Sequence, residues 1–219
     1  MTTQTSKDVS CPHCGAVVKT QMATGINAGE NPELRARVLD ETLFDWECPD
    51  CGYQAQLVYP CLYHDKVKNF MIYVVPNGCD CALESVDVSE SFPQLSGVTK
   101  RVVTSLIGLK EKILIFEAGL NDDAVELVKL ALVGVAAKKY DKTVANGYFC
   151  FVDEPDNRIV FSFFLQDAKE PVQQGTRMDV YHKSFEIVKN VGADAEDDFI
   201  AVDSVTAEKI LREYRGEEE

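Results

Sequence analysis

Cys11-Pro12-His13-Cys14-Gly15 and Cys48-Pro49-Asp50-Cys51-Gly52 are the same five-residue device written twice in one chain. Two residues between thiolates let one tight turn aim both sulfurs at a single ion. Two such turns supply the four tetrahedral sulfurs that Zn²⁺ prefers. Proline after the first cysteine fixes φ and stiffens the turn. Glycine after the second admits left-handed geometry and lets backbone N–H groups approach the sulfurs. Those donors matter, because four thiolates around a divalent cation leave two negative charges to be spread. Cys11, Cys14, Cys48 and Cys51 are therefore the candidate ligands of one structural Zn²⁺. A redox dithiol and an iron or iron–sulfur site are the competing readings, and matched pairs with Pro and Gly in register favour zinc over both. A closed four-sulfur shell has no open position, so its role is architectural. His13 lies between two ligands but is surplus to the set and reads as a surface residue of the turn.

The thirty-three residues between Cys14 and Cys48 are many for a compact ribbon. A strand out, a helix and a strand back would return the second turn to the first. Residues 16–23, 42–47, 53–59 and 69–75 carry strand-like patterns. Asn31-Pro32-Glu33 signals a helix start, and the helix ends near Leu39 with Leu34 and Val38 on one face. Residues 1–9 read as a frayed leader.

Beyond Pro76-Asn77-Gly78, a turn signal, residues 79–97 form an acidic connector. A strand over 99–104 leads into a helix over 107–118 that stops at Gly119, a left-handed cap. Asn121-Asp122-Asp123 caps the next helix. From 124 to 137 eleven of fourteen positions are apolar, leaving Glu126, Lys129 and Gly134. Such a helix must be buried on several sides, as a core element or as a homodimer interface. Residues 148–152 and 158–164 flank Asp153-Glu154-Pro155-Asp156-Asn157 in a hairpin pattern. Helices over 178–190 and from Asp203 or Ser204 to about Arg215 complete the chain. The expected architecture is α+β: an N-terminal zinc ribbon of short antiparallel strands with a helical pair, over residues 8–137, and a β-containing C-terminal unit over 145–215.

Composition narrows the function classes. Of 219 residues, 46% are hydrophobic and 26% charged, enough to bury a core. Twenty-two basic residues stand against thirty-six acidic ones, a formal charge of −14. No basic footprint for a phosphate backbone follows, so nucleic acid is disfavoured as a partner, as is an anionic membrane. The longest apolar run, residues 130–137, falls well short of the ~18–20 needed to span a bilayer. The polar opening MTTQTSKDVS has no apolar core of a secretory signal. Eight cysteines in such a chain read as metal ligands or free thiols in a reducing, cytoplasmic setting.

The paired Cys-Pro-x-Cys motifs resemble those of the CpXC domain proteins, a bacterial and archaeal family. The likeness extends through Leu62-Tyr63-His64-Asp65, Phe70-Met71-Ile72, Arg101-Val102-Val103, Leu109-Lys110-Glu111-Lys112-Ile113 and Gly119-Leu120-Asn121-Asp122, over roughly residues 8–137. The resemblance implies a zinc-binding domain and no established activity. Cys61, Cys79 and Cys81 lie outside the twin motif.

Other constellations are weaker. Cys61, His64 and Asp65 are close in sequence and could hold a nucleophile and a proton handler. A polar cluster on a strand edge is the plainer reading. Cys79-Asp80-Cys81 could build a second metal site with Cys61 and His64, but the strand over 69–75 would separate them by more than ~20 Å. Asp153, Glu154 and Asp156 lack the spacing of a calcium loop. The expected function is that of a cytoplasmic binding or scaffold module with a protein partner, possible as a homodimer through the helix 124–137. The alternative is a zinc-stabilised enzyme using His64 and Asp65 near a cleft between the ribbon and the C-terminal unit.

Overall fold

The computed structural model of the chain describes residues 2–77, 97–192 and 198–216. Among these, ten strands and five helices give an α+β architecture. It divides into two compact units, Met1–Lys110 with Asp197–Ile200, and Glu111–Glu196 with Ala201–Glu219.

The first unit is built on a five-stranded sheet. Its strands are β1 (Thr3–Ser10), β2 (Val17–Asn27), β5 (Cys61–Asp65), β6 (Phe70–Val74) and β7 (Thr99–Val103), in the order β1-β2-β5-β6-β7. A separate hairpin joins β3 (Asp45–Glu47) to β4 (Gln54–Gln56). Antiparallel pairing links β1 to β2 and β5 to β6. The sheet adds two parallel pairs, β2 with β5 and β6 with β7. A parallel mate needs a crossover of a dozen or more residues. Between β2 and β5 that crossover carries α1 (Pro32–Leu39) and the β3–β4 hairpin, which accounts for the long interval between the two cysteine pairs.

Residues 1–9 differ from the frayed leader the sequence suggests, since β1 is a full strand. Its side chains are mostly exposed on both faces, so no apolar alternation announces it. It forms because β2 offers it a partner from Ser10↔Val17 to Thr3↔Gly25. α1 starts at Pro32 as the Asn-Pro signal suggests, although the Asn31 side chain makes no capping hydrogen bond. Toward the middle of the sheet, β5 and β6 carry the buried Cys61, Tyr63, Phe70, Met71, Ile72 and Val74. Cys79 and Cys81, and most of the connector to which they belong, lie outside the described residues.

The second unit contains most of α2 (Leu106–Glu117), then α3 (Asp122–Tyr140), β8 (Val144–Asp153), β9 (Arg158–Leu165), β10 (Val172–Arg177), α4 (Met178–Val191) and α5 (Ser204–Arg215). The three strands form an antiparallel sheet with β9 central. Phe149, Ile159, Phe161 and Phe163 pack from it against Val125 and Val128 of α3, Tyr181 of α4 and Ile210 of α5. The caps match the sequence signals. Asn121 Oδ1 accepts from the Ala124 N–H at 2.9 Å, and the Asp203 side chain accepts from the Val205 and Thr206 N–H groups in a capping box.

α3 is buried nearly all round over its first two turns, then leaves Ala131, Gly134 and Val135 exposed. Its buried stretch also holds charges. Lys112, Asp122 and Glu126 are each under 5% exposed. Lys112 Nζ lies 2.8 Å from Asp122 Oδ2, and Lys129 Nζ lies 2.7 Å from Glu126 and 2.9 Å from Glu111. No helix among the described residues is long and apolar enough to cross a membrane.

Candidate metal centre

Each Cys-Pro-x-Cys motif is the loop of a β-hairpin. The first joins β1 to β2 and the second joins β3 to β4, with Ser10↔Val17 and Glu47↔Gln54 as the last paired residues before each loop. The two loops repeat one another bond for bond. Cys11 N–H donates to Ala16 O at 2.8 Å and Gly15 N–H to Cys11 O at 2.9 Å. In the second loop Cys48 N–H donates to Tyr53 O at 2.9 Å and Gly52 N–H to Cys48 O at 2.8 Å. Gly15 and Gly52 sit at φ 75° and 70°, where an L side chain is strained. A Cβ on either would meet no atom within 4 Å. Backbone conformation rather than space therefore demands glycine. Gly52→Ala is expected to cost about 1–2 kcal/mol and so to weaken metal affinity about tenfold, read by competition with a chromophoric chelator. Unchanged affinity would show the turn is not strained.

The four sulfurs converge. One ligand atom from each of Cys11, Cys14, Cys48 and Cys51 lies within 4.8 Å of all the others. The cross-loop pairs Cys11–Cys51 and Cys14–Cys48 are each 3.7 Å apart. In each loop the first cysteine is buried and the second exposed. Desolvation raises the Cys11 thiol, but the N–H groups of Cys14 and His13 and the neighbouring thiols outweigh it and bring it down to about 7. Cys51 goes the other way. The Tyr53 N–H lowers it, while desolvation and the thiols of Cys14, Cys48 and Cys11 push it up to about 12. Sulfurs this close cannot all lose their protons without a cation among them, which is the electrical condition a metal ion satisfies.

Beneath the sulfurs lies a small core. Trp46 packs with Cys11 and Cys48, and Val9, Val18, Ala55 and Leu57 close around them. The Trp46 Nε1–H donates to Thr20 Oγ1 at 3.0 Å, tying the short hairpin to β2. Above, His13 stacks on Tyr53 with centroids 5.9 Å apart and planes 3° from parallel. His13 is thus the exposed turn residue the sequence suggests, with an aromatic partner that sequence reading missed.

Among the described residues, the candidates Cys61, His64 and Asp65 do not assemble into a site. Cys61 and His64 are three residues apart on β5, and His64 and Asp65 are adjacent, so each pair points to opposite faces of the strand. Burial pushes the Cys61 thiol up to about 12, and its Sγ donates to Ala23 O at 3.1 Å. Asp65 Oδ1 accepts from the Val67 and Lys68 N–H groups at 2.8 and 2.9 Å, holding the β5–β6 turn. Desolvation, then the charge on Lys66, lowers the His64 imidazole. Among the described residues, Cys11, Cys14, Cys48 and Cys51 are the group placed to hold a metal ion.

No curated protein and no solved structure is detectably similar to the chain. The family model described as CpXC protein matches residues 9–129, more than half of the chain and both cysteine loops. The chain belongs to the CpXC protein family.

Proposed function

We propose that the four cysteines hold one structural Zn²⁺ and that the chain is a cytoplasmic binding or scaffold module. The observation that carries the metal reading is the 3.7 Å sulfur spacing across the loops. A tetrahedral ion with metal–sulfur bonds of about 2.3 Å sets its ligands about 3.8 Å apart, so the sulfurs already stand at the edge length of such a shell. A multinuclear cluster would hold its cysteines wider. Zinc rather than iron is favoured by a closed thiolate set needing no redox change. Cysteines gathered as metal ligands rather than joined as disulfides fit a reducing compartment. The proposed partner is a protein. A second copy of the chain, meeting the exposed Ala131, Gly134 and Val135 strip of α3, is the simplest such partner.

Elemental mass spectrometry on protein purified without chelator tests the metal reading, with one zinc per chain expected. The chain's one tryptophan, Trp46, sits under the sulfurs and supplies a second readout. Chelation should shift its emission to the red as water reaches it, and added zinc should reverse the shift. Iron in place of zinc, or an emission indifferent to chelation, would overturn the proposal.

A further inference from the structure

Building on the zinc reading, we propose that the four-cysteine centre is also an oxidative modification site. A hydroperoxide converts its thiolates into two disulfides, Cys11–Cys51 and Cys14–Cys48. These bonds hold the two hairpins together in the ion's place, and the ion is released.

Both sulfur pairs at 3.7 Å run across the loops, from one hairpin to the other. Each joins an exposed sulfur to a buried one, Cys51 to Cys11 and Cys14 to Cys48. The exposed member meets a dissolved oxidant first, and the buried member is placed to resolve it. Gly15 and Gly52 follow the exposed cysteines and border open space, since a Cβ on either meets nothing within 4 Å. Hydrogen peroxide, little larger than water, has a clear approach there. Bonding brings two sulfurs to about 2.05 Å, so each pair closes by about 1.7 Å once no cation lies among them.

The exposed thiolate attacks one peroxide oxygen, the O–O bond breaks, and hydroxide leaves. The buried thiolate then attacks the sulfenic sulfur, the S–O bond breaks, and a second hydroxide leaves. Each disulfide thus consumes one peroxide, whose two oxygens are reduced as two sulfurs are oxidised by one electron each. The mechanical result depends on which sulfurs join. The cross-loop bonds span 40 and 34 positions of sequence, and the constraint a disulfide imposes grows with its span. A bond within one loop, three positions apart, clips a turn and leaves β3–β4 untethered. Oxidation across the loops therefore releases the ion yet keeps Trp46 packed with Cys11 and Cys48, which chelation does not.

Trypsin, cutting after Lys7, Lys19, Arg37 and Lys66, puts Cys11 and Cys14 on peptide 8–19 and Cys48 and Cys51 on peptide 38–66. The full, metal-loaded chain is titrated with hydrogen peroxide. Zinc release is followed with a chromophoric chelator too weak to strip the reduced protein, and Trp46 emission is read in parallel. One zinc per chain should leave, and the two peptides should appear as one covalent species four hydrogens lighter than their sum. Emission should stay where it was, Cys61 should remain an alkylatable thiol, and dithiothreitol with zinc should restore the starting state. Peptides 8–19 and 38–66 each closed on itself, sulfinic acids in place of disulfides, a red shift equal to that on chelation, or zinc held throughout would overturn the proposal and leave the metal reading standing. A starting protein without zinc would overturn the metal reading instead, and the peptide map would still decide between cross-loop and within-loop bonds.

Discussion

Cys48→Ser is expected to abolish stoichiometric metal binding and to expose Trp46. The residue belongs at once to the sulfur set and to the small core beneath it, where Cys11, Trp46 and Cys48 are the buried members. Serine is a poor ligand at neutral pH, because its hydroxyl keeps its proton, and three thiolates then face the ion with one corner open. Residues that only orient a ligand typically cost ~10–100-fold in affinity when lost, so the ligand itself should cost more than ~100-fold. In structural sites the binding free energy is folding free energy. The β3–β4 hairpin, three residues a side, is far too short to hold itself together in water. It should therefore detach when the metal goes, shifting Trp46 emission to the red as chelation does. Cys150→Ser, a thiol of the second unit, is the control and should leave metal and emission unaltered. Full metal content in Cys48→Ser would remove Cys48 from the ligand set and the present reading with it.

The cysteine loops were legible because everything that makes them is local. Proline, glycine and the two-residue gap each dictate backbone geometry within five positions, and the two copies check one another. The strand leading into the first loop was not legible by the same rule. Apart from Val9, Thr3 to Ser10 is polar, and its fold depends on β2, a partner met later in the sequence. A signal was nevertheless present. Val9 precedes Cys11 by two residues as Trp46 precedes Cys48, and in both cases strand alternation sends the pair to one face, where they form the core under the sulfurs. Comparing the flanks of the two motifs, and not only the motifs, would have found β1. The parallel pairing of β2 with β5 had no such trace, since register between distant strands is set by burial that no short window contains. His64 and Asp65 show the converse. Adjacency in sequence suggested a working pair, whereas an extended strand turns neighbours away from each other.

The helix over residues 122–140 carries the second large prediction. Its apolar run was readable, and so was its burial on several sides, but the partners of Glu126 and Lys129, the charges within it, were not. Their other partners, Glu111 and Lys112, come from α2, and Glu111 Oε1 also accepts the Phe149 N–H of β8 at 2.7 Å. The network thus ties two helices and a strand together. Lys129→Met should leave Glu111 and Glu126 buried side by side with one cation nearby, Lys112 at 3.8 Å from Glu126. Removing one member of a buried pair typically costs about 3–5 kcal/mol. The pH dependence follows from Glu126. Burial raises its carboxyl above the usual range, Lys129 and Lys112 draw it down, and Glu111 raises it again. A carboxyl whose folded-state value is raised binds its proton more tightly when folded. Its contribution to stability is then greatest at low pH and falls as the pH climbs from the ordinary carboxylate value to the raised one. Without Lys129 that value rises further, so the deficit in Lys129→Met should be largest near pH 7 and shrink toward about pH 5. Hydrogen exchange of residues 144–153, corrected for intrinsic rates, reads it locally and apart from the metal centre. Lys129→Met/Glu126→Gln, which removes the stranded charge, should recover much of the loss at pH 7. A deficit below about 1 kcal/mol, or one equal at both pH values, would mean water already solvates these groups, and the network would then be a consequence of the packing rather than one of its causes.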